Sequence, residues 1–230
     1  MLGSLKELQG YKVKAMEDNI GDVDDFLFDD ETAHVRYLVV STGTWCFGRK
    51  VLISPTAVGR PDRAKHGLLV RLTKEEIKKS PEIDWEKPVS RQMEAALHRY
   101  YGWPPYWGFP SLHADVHLRS SKEVIGYHIQ ARDGEIGHIE DFLVDDESWI
   151  IRYLVVETRN WLPGKKVVLS PAWIDDVNWS EQSLYVDLER EEIRNAPQYD
   201  PNAQINRGYE ERLYDYYARP KYWVYPPGTG

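Results

Sequence analysis

The chain has 230 residues, 42% of them hydrophobic and 29% charged, which suits packed cores of ordinary soluble type and excludes a disordered chain. Its net charge of −8 repels phosphate backbones on average, so a general nucleic-acid binder is not expected. No apolar run approaches the ~18 residues of a membrane-spanning helix, no signal peptide is legible, and the single cysteine, Cys46, excludes an internal disulfide and makes a reducing cytoplasm the expected location.

In chain order, residues 20–28 and 35–41 are β-branched and aromatic runs of strand length. Between them, Asp29-Asp30-Glu31-Thr32 has turn chemistry through its Asx side chains. Closing that turn as a four-residue loop places Asp25 opposite Arg36 as a cross-strand ion pair, a sheet contact worth about 0.2–1 kcal/mol. A wide turn with two glycines follows at 42–48, then a strand over 50–54 stopped by Pro55, and another over 68–72. Thr73-Lys74-Glu75-Glu76 has the spacing of a capping box and opens a helical turn. Met93, Leu97, Tyr100 and Tyr101 recur at helical spacing before Pro104-Pro105.

The same plan then repeats. Gly10-Tyr11 returns as Gly126-Tyr127, Asp25-Phe26-Leu27 as Asp141-Phe142-Leu143, and Arg36-Tyr37-Leu38-Val39-Val40 as Arg152-Tyr153-Leu154-Val155-Val156, all with an offset of 126 − 10 = 116. Ser54-Pro55, Glu75-Glu76-Ile77, Tyr100-Tyr101 and Tyr106-Trp107 map to Ser170-Pro171, Glu191-Glu192-Ile193, Tyr216-Tyr217 and Tyr222-Trp223 without a slip of register. A period this long exceeds that of solenoids, and each copy is large enough to own a core. The organisation expected is a first copy over 1–107, a linker over 108–120 and a second copy over 121–230. The second predicted cross-strand pair is then Asp141 with Arg152.

The run from Ile20-Gly21 to Asp29-Asp30, followed by Val35-Arg36-Tyr37-Leu38-Val39-Val40, resembles the PRC-barrel domain, as does Ile136-Gly137 to Asp145-Asp146 with Lys165-Lys166-Val167-Val168-Leu169-Ser170-Pro171. The resemblance implies a mainly β chain of two tandem small antiparallel β-barrels, each followed by short helices. It also brings members with different tasks: the cytoplasmic domain of the photosynthetic reaction-centre H subunit, a ribosome-maturation factor, and stand-alone bacterial proteins linked to stress. A tandem pair with aromatic tails is most similar to the stand-alone group. What the resemblance implies is therefore a bacterial, non-enzymatic protein-binding or scaffold role. An RNA- or ribosome-associated factor, an H-subunit-like accessory of photosynthetic electron transfer, and a small-molecule or metal binder are the alternatives.

No residue set argues for catalysis, a cofactor or a metal. The acidic clusters at 22–31 and 140–147 lack the spacing of a calcium loop and are explained by turns and strand pairs. His113 and His117 supply only two of the ligands a zinc site needs. Cys46 maps to Leu162 and His34 to Ile150, so neither belongs to the shared plan. Candidate partner-binding residues are Arg60, Arg63, Lys65 and His66, a basic loop whose counterpart carries Asp176 and Glu181, and the tail aromatics Trp103, Tyr106, Trp107, Tyr222 and Trp223. The tails are expected to pack within the chain, and the two copies about a pseudo-two-fold axis; an unidentified protein partner is expected at the loops that differ.

Overall fold

The computed structural model describes residues 1–230 except 17, 86, 108–116, 159–164 and 225–230. Its contacts divide the chain into two compact units. The first takes residues 1, 3–123 and 144–151, and the second takes residues 2, 124–143 and 152–230. Along the chain the elements are β1 (Leu2–Ser4), α1 (Leu5–Leu8), β2 (Lys12–Lys14), β3 (Asn19–Asp29), β4 (Val35–Ser41), β5 (Lys50–Ile53), β6 (Gly67–Leu69), α2 (Lys74–Lys78) and α3 (Arg91–Tyr101). They continue as β7 (Leu118–Ser120), α4 (Ser121–Val124), β8 (His128–Ala131), β9 (Gly134–Asp145), β10 (Ile151–Glu157), β11 (Lys166–Leu169), β12 (Ile174–Asn178), β13 (Ser183–Val186), α5 (Arg190–Asn195) and α6 (Arg207–Tyr216).

One sheet runs β5-β4-β3-β2-β6 with β7 on β3, and the other runs β11-β10-β9-β8-β13-β12 with β1 on β9. Their registers repeat at the predicted offset. Leu38 faces Ile53 as Leu154 faces Leu169, and Lys12 faces Asp22 as His128 faces His138. The expectation of purely antiparallel sheets is corrected, because β6 runs parallel to β2 and β13 parallel to β8. In the first sheet β6 ends the order beside β2, whereas in the second β13 lies between β8 and the edge strand β12. The described pairings do not close either sheet into a barrel, since β5 and β6 end the first strand order rather than meeting.

The apolar run Tyr37-Leu38-Val39-Val40 is buried throughout, at 0–2% exposure, because β4 is covered on both faces. Tyr37, Val39, Leu27 and Leu52 form a core cluster with Leu97 of α3, while Leu38 and Val40 point to the opposite face by strand alternation. The Ile-Gly repeat also has a physical reason. Gly21 has φ +148°, and a Cβ there would lie 1.9 Å from the carbonyl oxygen of Ser41; Gly137 has φ +148° and the same conflict at 2.0 Å with Glu157. Only glycine lets these strands approach.

Two further expectations change. Asp25 stands opposite Val39, not Arg36, because Phe28 faces Val35 rather than Ala33 across a longer turn and a register shift between Leu27 and Phe28 adds one more residue. The predicted linker over 108–120 is not a linker throughout. Residues 108–116 lie outside the described residues, but 118–120 form β7 on β3. What draws them in is Asp25, which is buried and accepts hydrogen bonds from Ser120 Oγ at 2.5 Å, Ser121 Oγ at 2.8 Å and the Lys122 amide at 3.2 Å. Arg119 adds a 2.7 Å ion pair with Asp30.

Candidate binding groove

In each copy the aromatic tail is held by a buried carboxylate. Glu94 on α3 is fully buried, and Ser90 caps the N-terminus of that helix at Met93. Its Oε1 accepts from the Tyr37 hydroxyl at 3.0 Å and from the Tyr106 hydroxyl, and Arg91 lies 2.8 Å from Oε2. On α6, Glu210 accepts from Tyr153 and Tyr222, each at 2.8 Å, and pairs with Arg207 at 2.9 Å. Arg36 stacks on Tyr106 at 3.9 Å and Arg152 on Tyr222 at 4.2 Å, which is the packing role of the repeated arginine. Arg91 lies over Trp107 at 4.7 Å and Arg207 over Trp223 at 4.2 Å. Trp103 stacks on Tyr101 with centroids 4.2 Å apart. The tail rings are thus engaged inside their own units. In the second predicted pair, Asp141 Oδ1 accepts from the Phe142 amide at 2.7 Å.

The first copy adds a histidine. His98 Nδ1 lies 3.0 Å from the Pro104 carbonyl and Nε2 lies 2.9 Å from the Tyr37 hydroxyl. The carbonyl only accepts, so Nδ1 must donate. Tyr37 has one proton for both Nε2 and Glu94, and all the contacts are satisfied only if the His98–Glu94 pair carries one proton beyond neutral imidazole and carboxylate. Burial pushes the Glu94 carboxyl up, against the pull of Tyr106 and Arg91, and burial holds His98 below its ordinary range. Both directions favour Glu94 over His98 as the holder of that proton. The equivalent of His98 is Tyr214, which packs on Trp223 with centroids 5.1 Å apart.

The basic loop is less free than its sequence suggests. Arg60 pairs with Glu147, Arg63 with Asp146 at 3.1 Å and Lys65 with Asp62 at 3.4 Å, all inside the first unit. His66 meets the Tyr11 ring edge-on, with centroids 5.2 Å apart. The acidic clusters are likewise structural. Asp24 pairs with Lys122 at 2.7 Å and Lys50 at 2.9 Å, Asp29 with Arg36 at 3.2 Å, and Glu140 with Lys166 at 2.7 Å. For Asp24, burial raises the carboxyl but the two lysines outweigh it and hold it below the usual range. His117 contacts Asp30 at 3.1 Å and Glu31 at 3.3 Å, while His113 lies outside the described residues. No group of three His, Cys, Asp or Glu arranged to hold a metal occurs among the described residues.

An open groove of about 620 Å³ lies between the 46–50 turn and the 78–85 segment of the first copy. Arg49 fixes its floor by donating to the carbonyls of Lys78, Ser80 and Pro81 at 3.2, 2.6 and 3.1 Å. Lys165 makes the corresponding latch to the Arg194 and Ala196 carbonyls. At the mouth, Phe47 is 94% exposed with φ +58°, and Trp85 is 41% exposed. A bulky residue held in the left-handed region costs about 1–3 kcal/mol and marks a position to be explained by function. Lys50, Lys78 and Glu82 complete the rim, with Ile83 inside.

Residues 3–77 match the family model of the PRC-barrel domain. The match covers 75 of the 230 residues and runs from β1 into α2, short of the aromatic tail. No curated protein matches the chain significantly. Phe47 and the basic loop lie inside the PRC-barrel segment, whereas Trp85 and the Glu94 cluster lie beyond it. Sequence reasoning missed Arg91, Glu94, Arg207 and Glu210. The signal was present, since Arg-x-x-Glu recurs at the offset of 116, but a charged pair on a predicted amphipathic helix reads as its solvated face. No described helix is long and apolar enough to cross a membrane.

Proposed function

We propose that the chain is a non-enzymatic binding protein whose second copy is a PRC-barrel domain like its first, and that the groove beside Phe47 and Trp85 holds a protein partner. The reading rests on Phe47, a large apolar ring left in solvent at the mouth of a formed groove. Interface hot spots are enriched in such aromatic anchors seated in pockets. Lys78 on the rim favours a partner segment that presents an apolar side chain beside a carboxylate, Lys50 being paired with Asp24. The second copy has Pro163, outside the described residues, and Pro201 at the matching positions, so it offers no aromatic pair there. In support of the shared family, the strand registers of the two copies coincide at the offset of 116. The chemistry of the anchors supports structural roles, since the buried carboxylates face tyrosines and arginines rather than an open cleft.

The test is affinity isolation from the native host with wild type and with Phe47→Ser/Trp85→Ser, followed by titration of the recovered partner. Both side chains are exposed enough that stability should move by no more than about 0.5 kcal/mol for Phe47. The expected outcome is a partner bound by wild type and at least tenfold weaker by the variant. Equal affinity for both proteins would remove the groove from the interface.

A further inference from the structure

The two copies present the same sheet face with opposite charge. In the first, Leu69 of β6 lies beside Lys14 of β2 in a parallel pair, and Lys12, Arg60 and Lys65, against the single carboxylate of Asp62, line the same shallow groove of about 310 Å³. In the second, Tyr185 of β13 lies beside Gln130 of β8 and opposite Asp176 of β12. Positions 60, 65 and 71 are Arg, Lys and Arg; their equivalents at 176, 181 and 187 are Asp, Glu and Asp. At the centre of each face stands an exposed apolar side chain, Leu69 at 57% and its equivalent Tyr185 at 38%. No ion-pair partner of Lys14, Asp175, Asp176 or Glu181 occurs among the described residues, and these side chains are exposed.

We infer that the Leu69 face of one molecule docks on the Tyr185 face of a second copy of this chain. Charge complementarity names the occupant: Arg60 and Lys65 exchange their exposed, solvent-screened pairs with Glu147 and Asp62 for carboxylates such as Asp176 and Glu181, and the two apolar side chains pack at the centre. Joining two different faces is heterologous, so each molecule keeps one face of each kind open and assembly continues into a ring or an open chain. The contact goes beyond the groove at Phe47, which lies on other residues and stays available. Steering by opposite charges weakens steeply as salt screens them, with a Debye length of about 10 Å at 0.1 M.

Analytical ultracentrifugation of the full chain tests this. Wild type should grow in weight-average mass with concentration at low salt and return to one chain's mass at high salt. Arg60→Glu/Lys65→Glu should be monomeric at low salt, as should Asp176→Lys/Glu181→Lys, each with an unchanged circular dichroism spectrum. The chain carrying all four substitutions restores complementarity with the signs exchanged and should associate again, which a damaged fold would not do. The inference is overturned if wild type is monomeric at every salt concentration, including the case where it binds heparin through the basic face. It is also overturned if either double variant associates like wild type or the fourfold variant fails to recover. A monomeric wild type that still binds its partner through Phe47 would leave the proposed function standing.

Discussion

Under the helix that covers each sheet, the first copy places His98 between Tyr37 and Pro104, and the second places Tyr214 against Trp173 and Trp223. Around this one exchange the anchor is constant: tyrosine from the fourth or tenth strand, glutamate and arginine from the helix, tyrosine and tryptophan from the tail. The first copy has thereby gained a proton to accommodate, and the second has replaced it with aromatic packing. What both retain is what holds the tail down. What they exchange tunes the response of each unit to its surroundings, as the opposite charges at 60 and 176 do on the surface.

The comparison breaks most severely at the shared glycines. Gly21→Ala and Gly137→Ala each force a Cβ into a backbone carbonyl at a positive φ, on strands that cannot separate without losing the core. Each should cost more than about 4 kcal/mol, the range reserved for such failures. Urea unfolding followed by circular dichroism should show one unit of either variant unfolded before denaturant is added. Equal stability to wild type would mean that the close strand approach is not required.

Next in size is the anchor. Glu94→Ala leaves Arg91, Tyr37 and Tyr106 without their acceptor at a buried site, whereas Glu210→Ala does so to Tyr153 and Tyr222 while Arg207, half exposed, keeps water as a partner. Removing one member of a buried charged pair costs about 3–5 kcal/mol. Denaturant midpoints should fall in both variants, less for Glu210→Ala because water screens the half-exposed Arg207, and tail tryptophan fluorescence should shift to the red in both. A large effect in one copy and none in the other would show that the repeated geometry does not carry repeated energetics.

These two predictions also mark what the sequence made legible. The offset of 116, the β3–β4 and β9–β10 hairpins and the covering helices were readable because strand patterning and repetition are local. The partner of Asp25 was not, because a longer turn and a bulge in β3 change which residue it faces, and its hydrogen-bond donors come from residues 120–122. The parallel placement of β6 was not legible either, since short strands carry no signal for the direction of a distant neighbour. Arg60 and Arg63 read as a free basic loop because their acids, Glu147 and Asp146, lie more than eighty residues away. Glu94 was hidden for a different reason: a glutamate in a helix reads as solvated until the tyrosines that bury it are placed. The aromatic tails, by contrast, were expected to pack within the chain, and Tyr106 and Tyr222 do lie against the carboxylates of their own units.

The finest distinction between the copies is in acid. Burial lowers the His98 pKa in the folded state, so the unfolded chain binds a proton there first as pH falls through the ordinary histidine value near 6.5. His98 therefore contributes stability above that value and loses it below, down to its folded pKa. Glu94 acts in the opposite sense. Its raised folded pKa means that the native state binds the proton more readily, so acidification from the folded pKa toward about 4.5 favours folding. His98→Gln removes the first contribution and leaves the second, while an amide can still donate toward Pro104 and accept from Tyr37. Wild type should lose melting temperature between pH 7.5 and 5.5 relative to His98→Gln, by a few degrees at most, and Tyr214→Phe should track wild type across the same range. If wild type and His98→Gln fall in parallel, the histidine does not distinguish the two copies in acid. An unshifted His98 would then take up the proton that completes the Tyr37 contacts as pH falls, in place of Glu94.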